Sequence, residues 1–412
     1  MNIWLIFILA VIVIGFTLEL VISTLNIKAL SPELPVEFKD VFDSSSYKQS
    51  QLYTRETTIF SLIENSITTI ATVIFLLVGG FNYIDELVRS FGFTEIVTGL
   101  LFTGFLLLLS LLLGMPFSLY STFVIEEKFG FNKTTVRTYI TDTIKSICLT
   151  IVIGFPVLAL ILWFFETAGS SAWLYCWFAV FFIMLVLQFL APVLIMPLFN
   201  KFTPLEAGSL RDSIFNYTKG ERFTIQGVFV MDGSKRSTKL NAFFTGLGKF
   251  KKIVFFDTLM EKLSIDQIIG VLAHEMGHYK HKHLIKMICA SFIQTGLLFF
   301  FLSLILNNEN LFEAFSMSNI SIYASLVFFG FLYSPVSLFL SLIFNHFSRK
   351  HEFEADSYAA RSTGSPEHLI QGLKILSKTN LSNLTPHPLQ VIFHYSHPPV
   401  LERIHELRNN SI

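Results

Sequence analysis

The sequence predicts a polytopic α-helical membrane protein. Hydrophobic residues make up 52% of the 412 positions and charged residues only 15%, whereas soluble domains average roughly 45–50% and 25%. A helix needs about 20 mostly apolar residues to cross a bilayer. Seven windows of the chain meet this requirement, at 3–23, 59–80, 97–118, 146–165, 173–195, 285–306 and 321–345.

Charge and cysteine content exclude two other classes. The chain has 30 basic and 30 acidic residues and no run rich in Lys or Arg, so we expect a lipid bilayer rather than a nucleic acid as its partner. Cys148, Cys176 and Cys289 all lie in apolar stretches, and none forms a CxxC pair. The sequence therefore predicts neither a disulfide framework nor a thiolate metal site.

The first window is predicted to be a retained span rather than a signal peptide. The chain begins MNIWLIF, with no basic residue ahead of the apolar run and no small-residue cleavage site after it.

The basic residues of the loops predict the orientation, because Lys and Arg are held on the cytoplasmic side during insertion. The segments 24–58 and 119–144 carry four and three basic residues, whereas 81–96 carries one and 166–172 and 307–320 carry none. We therefore expect the N-terminus outside or in a lumen, with the long later segment and the C-terminal tail in the cytoplasm. The predicted division is a five-helix membrane region at 1–195, a cytoplasmic catalytic segment at 196–284, two further membrane helices at 285–345 and a C-terminal cytoplasmic segment at 346–412.

The cytoplasmic segment is predicted to contain a small sheet or hairpin followed by a helix. GVFVMDGS at 227–234 and KKIVFFDTL at 251–259 have the composition of short strands, with Asp-Gly and the glycines at 246 and 248 as turn signals. Ser264 followed by Gln267 forms a capping-box pattern, which predicts a helix that begins there and continues through His278.

That helix carries the pattern HEMGH. Residues four apart lie on one face of a helix, so His274 and His278 can both offer imidazole nitrogens to one metal ion. Catalytic zinc usually has three protein ligands and an open position for water, and Glu275 is placed to take the proton of that water.

The third ligand is open to alternatives. His281 lies near the same face as His278, although the favoured interpretation of YKHKH is a solvated basic helix end. The stronger candidate lies in RKHEFEADSYAA at 349–360, where Glu352 and Asp356 are four apart on a second helix. From composition alone, this stretch is equally well explained as a charged helix start that faces water.

Several motifs together resemble the Ste24-type CAAX prenyl proteases, which are membrane zinc metalloproteases of family M48. HEMGH, EFEAD and the C-terminal HYSHPPVLERI carry the resemblance. Segments in the same order extend it over most of the chain, namely EEKFGFNKTT (126–135), MPLFNKFTPLEAGSL (196–210), STKLNAFFTGLG (237–248) and FFDTL (255–259).

The resemblance implies one Zn²⁺ per chain and a role for eight residues. It gives the metal to His274, His278 and Glu352, general-base catalysis to Glu275, support of a ligand histidine to Asp356, stabilisation of the developing charge to His397 and Arg403, and contact near the substrate strand to Asn241.

The resemblance also implies a fold and a substrate class. The seven helices would form a barrel around a large water-filled chamber that the zinc domain closes near the cytoplasmic side. The substrates would be prenylated CAAX-type or membrane-associated peptides and proteins. The alternatives are a broad-specificity quality-control metalloprotease and a non-enzymatic transporter or scaffold with structural zinc. The compact chain, which ends RNNSI, favours a bacterial inner membrane, with the endoplasmic reticulum as the eukaryotic alternative.

Overall fold

The computed structural model describes residues 2–245 and 251–409, and most of them are helical. Seven helices of this described part are long and apolar enough to cross a membrane, which confirms the predicted number. The turn predicted around Gly246 and Gly248 lies outside the described residues. In chain order the helices are α1 (Ile3–Lys28), α2 (Ser44–Leu77), α3 (Gly80–Arg89), α4 (Glu95–Tyr120), α5 (Val136–Leu149), α6 (Phe155–Thr167), α7 (Ala172–Leu190), α8 (Met196–Phe199), α9 (Ser209–Gly220), α10 (Asp257–Lys262), α11 (Ile265–Lys280), α12 (His283–Ile305), α13 (Glu309–Ala314), α14 (Ile322–Thr363), α15 (Glu367–Thr379), α16 (Pro388–His394) and α17 (Val400–Asn409).

Three of the spans contain a π-helical segment. Ser121–Glu126 extends α4, Thr150–Gly154 joins α5 to α6, and Ala191–Ile195 joins α7 to α8. Pro192 lies inside the last of these segments, where its missing N–H and its ring disturb the regular hydrogen bonding. The fourth and fifth spans are therefore each built from more than one helix.

The spans form a closed ring. Each span contacts the next along the chain, in the order α1, α2, α4, α6, α7, α12 and α14, and α14 contacts α1 again. α14 also contacts α4 and α6, where Tyr323 near its start is buried in one cluster with Phe102 and Leu162. At most 17% of the residues in any of the apolar windows are buried inside the protein. The wall is therefore one helix thick, as the predicted barrel requires.

A phenylalanine cluster closes one end of the ring. Phe81 of α3, Phe102 of α4, Phe312 of α13 and Phe328 of α14 are buried together there. Because α14 starts at this cluster, its other end reaches the opposite side of the ring.

The helix α14 is much longer than its apolar window. Its 42 residues at 1.5 Å each make it about 63 Å long, roughly twice the hydrocarbon thickness of a bilayer. Glu352 and Asp356 therefore lie on the extension of the seventh span, rather than on the separate second helix expected from the sequence. The predicted division between 345 and 346 falls inside this helix.

A four-stranded mixed sheet precedes the HEMGH helix. Its strands are β1 (Phe202–Pro204), β2 (Gly227–Met231), β3 (Ala242–Thr245) and β4 (Lys252–Phe256), in the spatial order β1-β2-β4-β3. The two strands predicted from the sequence, β2 and β4, pair in parallel, whereas β3 pairs antiparallel with β4. The sheet is thus confirmed, and β3 is one of its edges.

The helix α11 begins and packs as the sequence predicts. Ser264 and Gln267 form the complete capping box. The apolar side chains Ile268, Leu272 and Met276 belong to the buried cluster that includes the sheet. α11 also contacts α14 and α15, so this helix joins the sheet to the extended seventh span.

Candidate metal centre

Close packing of α11 against α14 brings the candidate ligands together. A Cβ atom at Gly277 would lie 2.8 Å from Cα and 2.9 Å from the carbonyl oxygen of Ala355. Such a separation is possible only for glycine, so the two helix backbones touch between His274 and His278. Glu352, which is one turn before Ala355, consequently faces both imidazoles.

Three side chains converge at this contact. The Nε2 atoms of His274 and His278 are 3.2 Å apart. Glu352 places Oε2 3.3 Å from the Nε2 atom of His274 and Oε1 3.1 Å from that of His278. Ligands at 2.0–2.1 Å from a tetrahedral zinc ion are separated by about 3.3 Å. The two imidazole nitrogens and the Glu352 carboxylate, which turns one oxygen to each of them, therefore have separations close to those between ligands of a tetrahedral zinc ion.

Hydrogen bonds to the other ring nitrogens support this fit. The Nδ1 atom of His274 lies 2.8 Å from Oδ1 of Asp356, and the Nδ1 atom of His278 lies 3.0 Å from Nδ1 of His283. With protons on both ligand Nδ1 atoms, both Nε2 atoms present lone pairs to the Glu352 carboxylate, which is also an acceptor. Three acceptors this close repel one another unless a cation lies between them.

Electrostatics favour positive charge at the same point. Burial alone would lower the pKa of His274, but the hydrogen bond and the negative charge of Asp356 outweigh it and raise the pKa to about 9. Burial raises the pKa of the Glu275 carboxyl, against the opposing charges of His274 and His278. The buried carboxylates therefore make this a cation-binding environment.

Glu275 lies beside a cavity. The cavity has a volume of about 380 Å³ and lies between the sheet, α11 and the fifth span. Glu275 and His278 both line it, so a peptide in the cavity would reach the metal ligands and the candidate base together. The other lining residues are Gln188, Phe189, Pro192, Met196, Phe243, Phe244, Thr245, Tyr279 and Leu284.

The guanidinium of Arg403 contacts Asp356 and the candidate ligand Glu352. It donates from Nε to Oδ2 of Asp356 at 2.8 Å and from Nη2 to Oδ1 at 2.6 Å, and its Nη1 is 3.5 Å from Oε2 of Glu352. The residue is only 8% exposed. The sequence-based expectation placed Arg403 near the substrate, whereas this geometry directs its guanidinium to Asp356.

His397 and Asn241 occupy different positions. The Nε2 atom of His397 is 3.4 Å from Oε1 of Glu352, and its side chain is 65% exposed. It therefore stands at the open side of the centre. Asn241 is exposed just before β3, where its backbone oxygen accepts from the N–H of Phe256 and its side chain accepts from the N–H of Ala242. It is not among the described residues that line the cavity.

Sequence reasoning missed two features of the site. Phe243, Phe244 and Thr245 on the edge strand line the cavity, although the run STKLNAFF was only given a role through Asn241. His283, interpreted as part of a solvated helix end, is buried and touches His278. A hydrophilic run next to a span gives no signal that one of its residues turns inward.

Comparisons with known proteins agree with this arrangement. The family described as "CAAX prenyl protease N-terminal, five membrane helices" matches residues 23–201, and "Peptidase family M48" matches residues 204–411. CAAX prenyl protease 1 of Saccharomyces cerevisiae is 35% identical over 92% of this chain and 89% of the relative. The human CAAX prenyl protease 1 homolog is 34% identical over 91% and 88%.

A solved structure has the same fold. The crystal structure of Ste24p from S. mikatae superposes with a TM-score of 0.93 at 34% identity, covering 98% of this chain and 99% of that one. The seven-span ring and the mixed sheet described above are therefore shared with a known protein over nearly the whole chain. This chain belongs to peptidase family M48 and is an integral membrane metallopeptidase.

Proposed function

We propose that this chain is a zinc endopeptidase that cleaves prenylated CAAX-type proteins near their C-termini. The observation that carries the proposal is the convergence of the Nε2 atoms of His274 and His278 and the carboxylate of Glu352 at zinc-like distances, next to a cavity lined by Glu275. The names of the relatives, CAAX prenyl proteases, support the substrate class.

The side chains divide the work of hydrolysis. Zn²⁺ bound to the three ligands would supply Lewis-acid polarisation of the scissile carbonyl and lower the pKa of a bound water. Glu275 accepts the proton of the attacking water and delivers it to the leaving amine. His397, at the open side of the centre, donates a hydrogen bond to the negative charge that develops on the carbonyl oxygen.

Asp356 and Arg403 act on the ligands rather than on the substrate. Asp356 accepts from Nδ1 of His274, which fixes the ring with Nε2 toward the metal. Arg403 holds Asp356 through two parallel hydrogen bonds and neutralises its buried charge. Both are positioning residues in this proposal.

The edge strand β3 is the proposed docking site for the peptide. Its outer edge carries backbone groups without a strand partner in the described sheet, and three of its residues line the cavity. An extended peptide can add to such an edge by main-chain hydrogen bonds. Asn241, at the start of the strand, would contact the end of the added peptide.

The proposed topology follows the loop charges. The N-terminus lies outside or in a lumen. The membrane regions are 1–195 and 285–345, and the segments that follow them, 196–284 and 346–412, form one cytoplasmic unit. A reporter inserted in the 307–320 loop should be accessible from the outer face; cytoplasmic accessibility there would contradict this orientation. The bacterial origin expected from the compact chain stays a prediction, since the relatives named above are eukaryotic.

The substrate proposal is tested with matched peptides. The purified protein, shown by elemental analysis to carry one Zn²⁺ per chain, is incubated with a fluorogenic farnesylated CAAX peptide and with its unprenylated twin. Cleavage that requires the farnesyl group is expected. Equal cleavage of both peptides would point to a broad-specificity peptidase, and no cleavage of either would contradict the proposed activity.

A further inference from the structure

A series of hydrogen bonds continues from His278 away from the metal ligands. The Nδ1 atoms of His278 and His283 are 3.0 Å apart, and Nε2 of His283 is 2.9 Å from Oε2 of Glu354. His283 is only 4% exposed. Its ring stacks on that of His351, with the centroids 4.0 Å apart and an angle of 14° between the planes. The ring of His281 also lies parallel to that of His283, with the centroids 5.5 Å apart. The imidazole of His283 therefore has partners at both nitrogens and a parallel ring from each of His351 and His281.

The backbone brings His283 to this place. α11 ends at Lys280, and Lys282 adopts the left-handed conformation with φ of 58° before α12 begins at His283. This turn folds the first residue of the sixth span back onto His278. Glu354, from the extended seventh span, is the last member of this series of hydrogen bonds. The series therefore joins side chains from three helices.

The proton positions in this series of hydrogen bonds follow from the ligand role of His278. If Nε2 of His278 binds the metal, its proton is on Nδ1, which must donate to Nδ1 of His283. Nε2 of His283 then carries the remaining proton and donates it to Glu354. Each ring nitrogen of His278 and His283 then has one defined role, and the series of hydrogen bonds ends at the Glu354 carboxylate.

The alternative is a second metal site. His281, His283 and Glu354 can bring ligand atoms within 4.8 Å of one another. However, Nε2 of His283 carries a proton in the scheme above, and Nζ of Lys286 lies 3.6 Å from Oε2 of Glu354. A protonated nitrogen cannot bind a cation, and the ammonium group repels one. The geometry therefore favours a positioning role over a second ion.

We propose that His283 and Glu354 are positioning residues that fix the tautomer and ring orientation of His278, as Asp356 does for His274. This inference rests on the ligand set of the proposed function. Partners of this kind are typically responsible for a 10–100-fold difference in metal affinity. Each ligand histidine would then have a buried partner on its second nitrogen.

The test compares metal affinity in the full-length protein in detergent. His283→Leu removes both ring nitrogens, whereas His283→Asn keeps an acceptor oxygen near the position of Nδ1. The dissociation constant for Zn²⁺ is measured by competition with a chromophoric chelator, and the melting temperature of the metal-free form is measured in parallel. His281→Ala is the comparison variant. The ring of His281 lies parallel to that of His283, with the centroids 5.5 Å apart, but its side chain has no hydrogen bond to His278 in the described structure, so this variant separates ring packing from hydrogen bonding.

We expect His283→Leu to weaken Zn²⁺ binding about 10–100-fold and His281→Ala to stay near the parent value. His283→Asn keeps an acceptor for His278 but loses the hydrogen bond to Glu354, so its affinity should lie between those of the parent and His283→Leu. The metal-free melting temperatures should be similar, because the effect acts through the ligand. A parent-like dissociation constant in His283→Leu would overturn the proposal. So would two ions per chain in the parent with one lost in His281→Ala.

Two further variants keep the outcome decidable. If His283→Leu does not fold, Glu354→Leu leaves both imidazoles in place, and the proposal predicts weaker Zn²⁺ binding there; unchanged affinity would overturn it. His274→Ala tests the underlying ligand set separately. If His274→Ala also retains Zn²⁺ at the parent affinity, the ligand assignment itself fails, and not only the role of His283.

Discussion

Replacement of Gly277 by alanine should pull the metal ligands apart. The added Cβ would lie 2.8 Å from Cα of Ala355 and 2.9 Å from its carbonyl oxygen, and ordinary contacts begin at 3.4 Å. Both neighbours include backbone atoms, which cannot rotate away as a side chain can. To restore ordinary contact, α11 and α14 must therefore separate by about 0.6 Å, the difference between 2.8 and 3.4 Å.

This displacement exceeds what the metal site can absorb. Ligand distances in metal sites are held to within about 0.2 Å, and His274 and His278 would move away from Glu352. Overpacking of this kind costs about 1–3 kcal/mol of the free energy of unfolding, which outweighs the gain of up to about 1 kcal/mol from replacing a helical glycine. We expect Zn²⁺ affinity to fall at least about tenfold, as when a ligand loses its support.

The matched control is Gly372→Ala on α15, which faces the same helix α11. Its Cβ would meet ordinary neighbours at 3.5 Å, on Val271, and 3.6 Å, on Gln267. Chelator competition and thermal melting of both variants in detergent give the comparison. Gly372→Ala should keep the parent's metal affinity and be as stable as the parent or up to about 1 kcal/mol more stable. A Gly277→Ala protein with the parent's Zn²⁺ affinity would refute the reasoning from helix contact.

Three other substitutions test separate parts of the structure. Asp356→Asn removes the carboxylate that accepts both short hydrogen bonds of the buried Arg403 guanidinium and leaves only the 3.5 Å contact with Glu352, so the free energy of unfolding should fall by about 3 kcal/mol; a melting temperature equal to the parent's would show that the pair is not needed. His397→Ala should reduce kcat for peptide cleavage about 10²–10³-fold with little change in Zn²⁺ affinity, because His397 is exposed and its one contact with a ligand, 3.4 Å to Oε1 of Glu352, is longer than the contacts that Glu352 makes with His274 and His278; an unaltered kcat would remove it from catalysis. Lys374→Met on α15 breaks the contacts of the buried Lys374 ammonium with the partly exposed Glu37 and Asp40, at 2.8 and 3.1 Å, and should cost about 1–3 kcal/mol in thermal or denaturant unfolding, with metal content unaffected; stability like that of the parent would mean that this link to the first loop contributes little.

The spans could be predicted from the sequence because lipid imposes a simple requirement. A helix that crosses the bilayer must be apolar for about 20 residues. This run is visible in the sequence whatever the tertiary packing of the helix. The end of α14 is different, because beyond 345 the chain is polar and the helix continues to Thr363. It stops only where Gly364 adopts the left-handed conformation with φ of 71°.

The ligand pair on α11 was visible in the sequence, whereas the completion of the site depends on contacts between distant segments. HEMGH places two histidines on one face through local helix geometry alone. Glu352 reaches them only because Gly277 permits backbone contact with Ala355. Without the family resemblance, the carboxylates of α14 were equally well explained as solvated.

The position of His283 could not be predicted for a similar reason. Its neighbours Lys280 and Lys282 are charged, so the local pattern indicates solvent. The residue is buried because one left-handed residue, Lys282, redirects the chain, and such a turn has no hydrophobic periodicity. Tertiary contacts with His351 and Glu354 then decide its environment.

The most direct test of the account is to measure metal content and peptide cleavage together in Glu275→Gln. Glu275 is not one of the three converging ligands, and glutamine has nearly the same shape but cannot accept the proton of the attacking water. The account predicts one Zn²⁺ per chain, a parent-like melting temperature and loss of cleavage of the farnesylated peptide. Cleavage at the parent's rate by the zinc-loaded Glu275→Gln protein would contradict it.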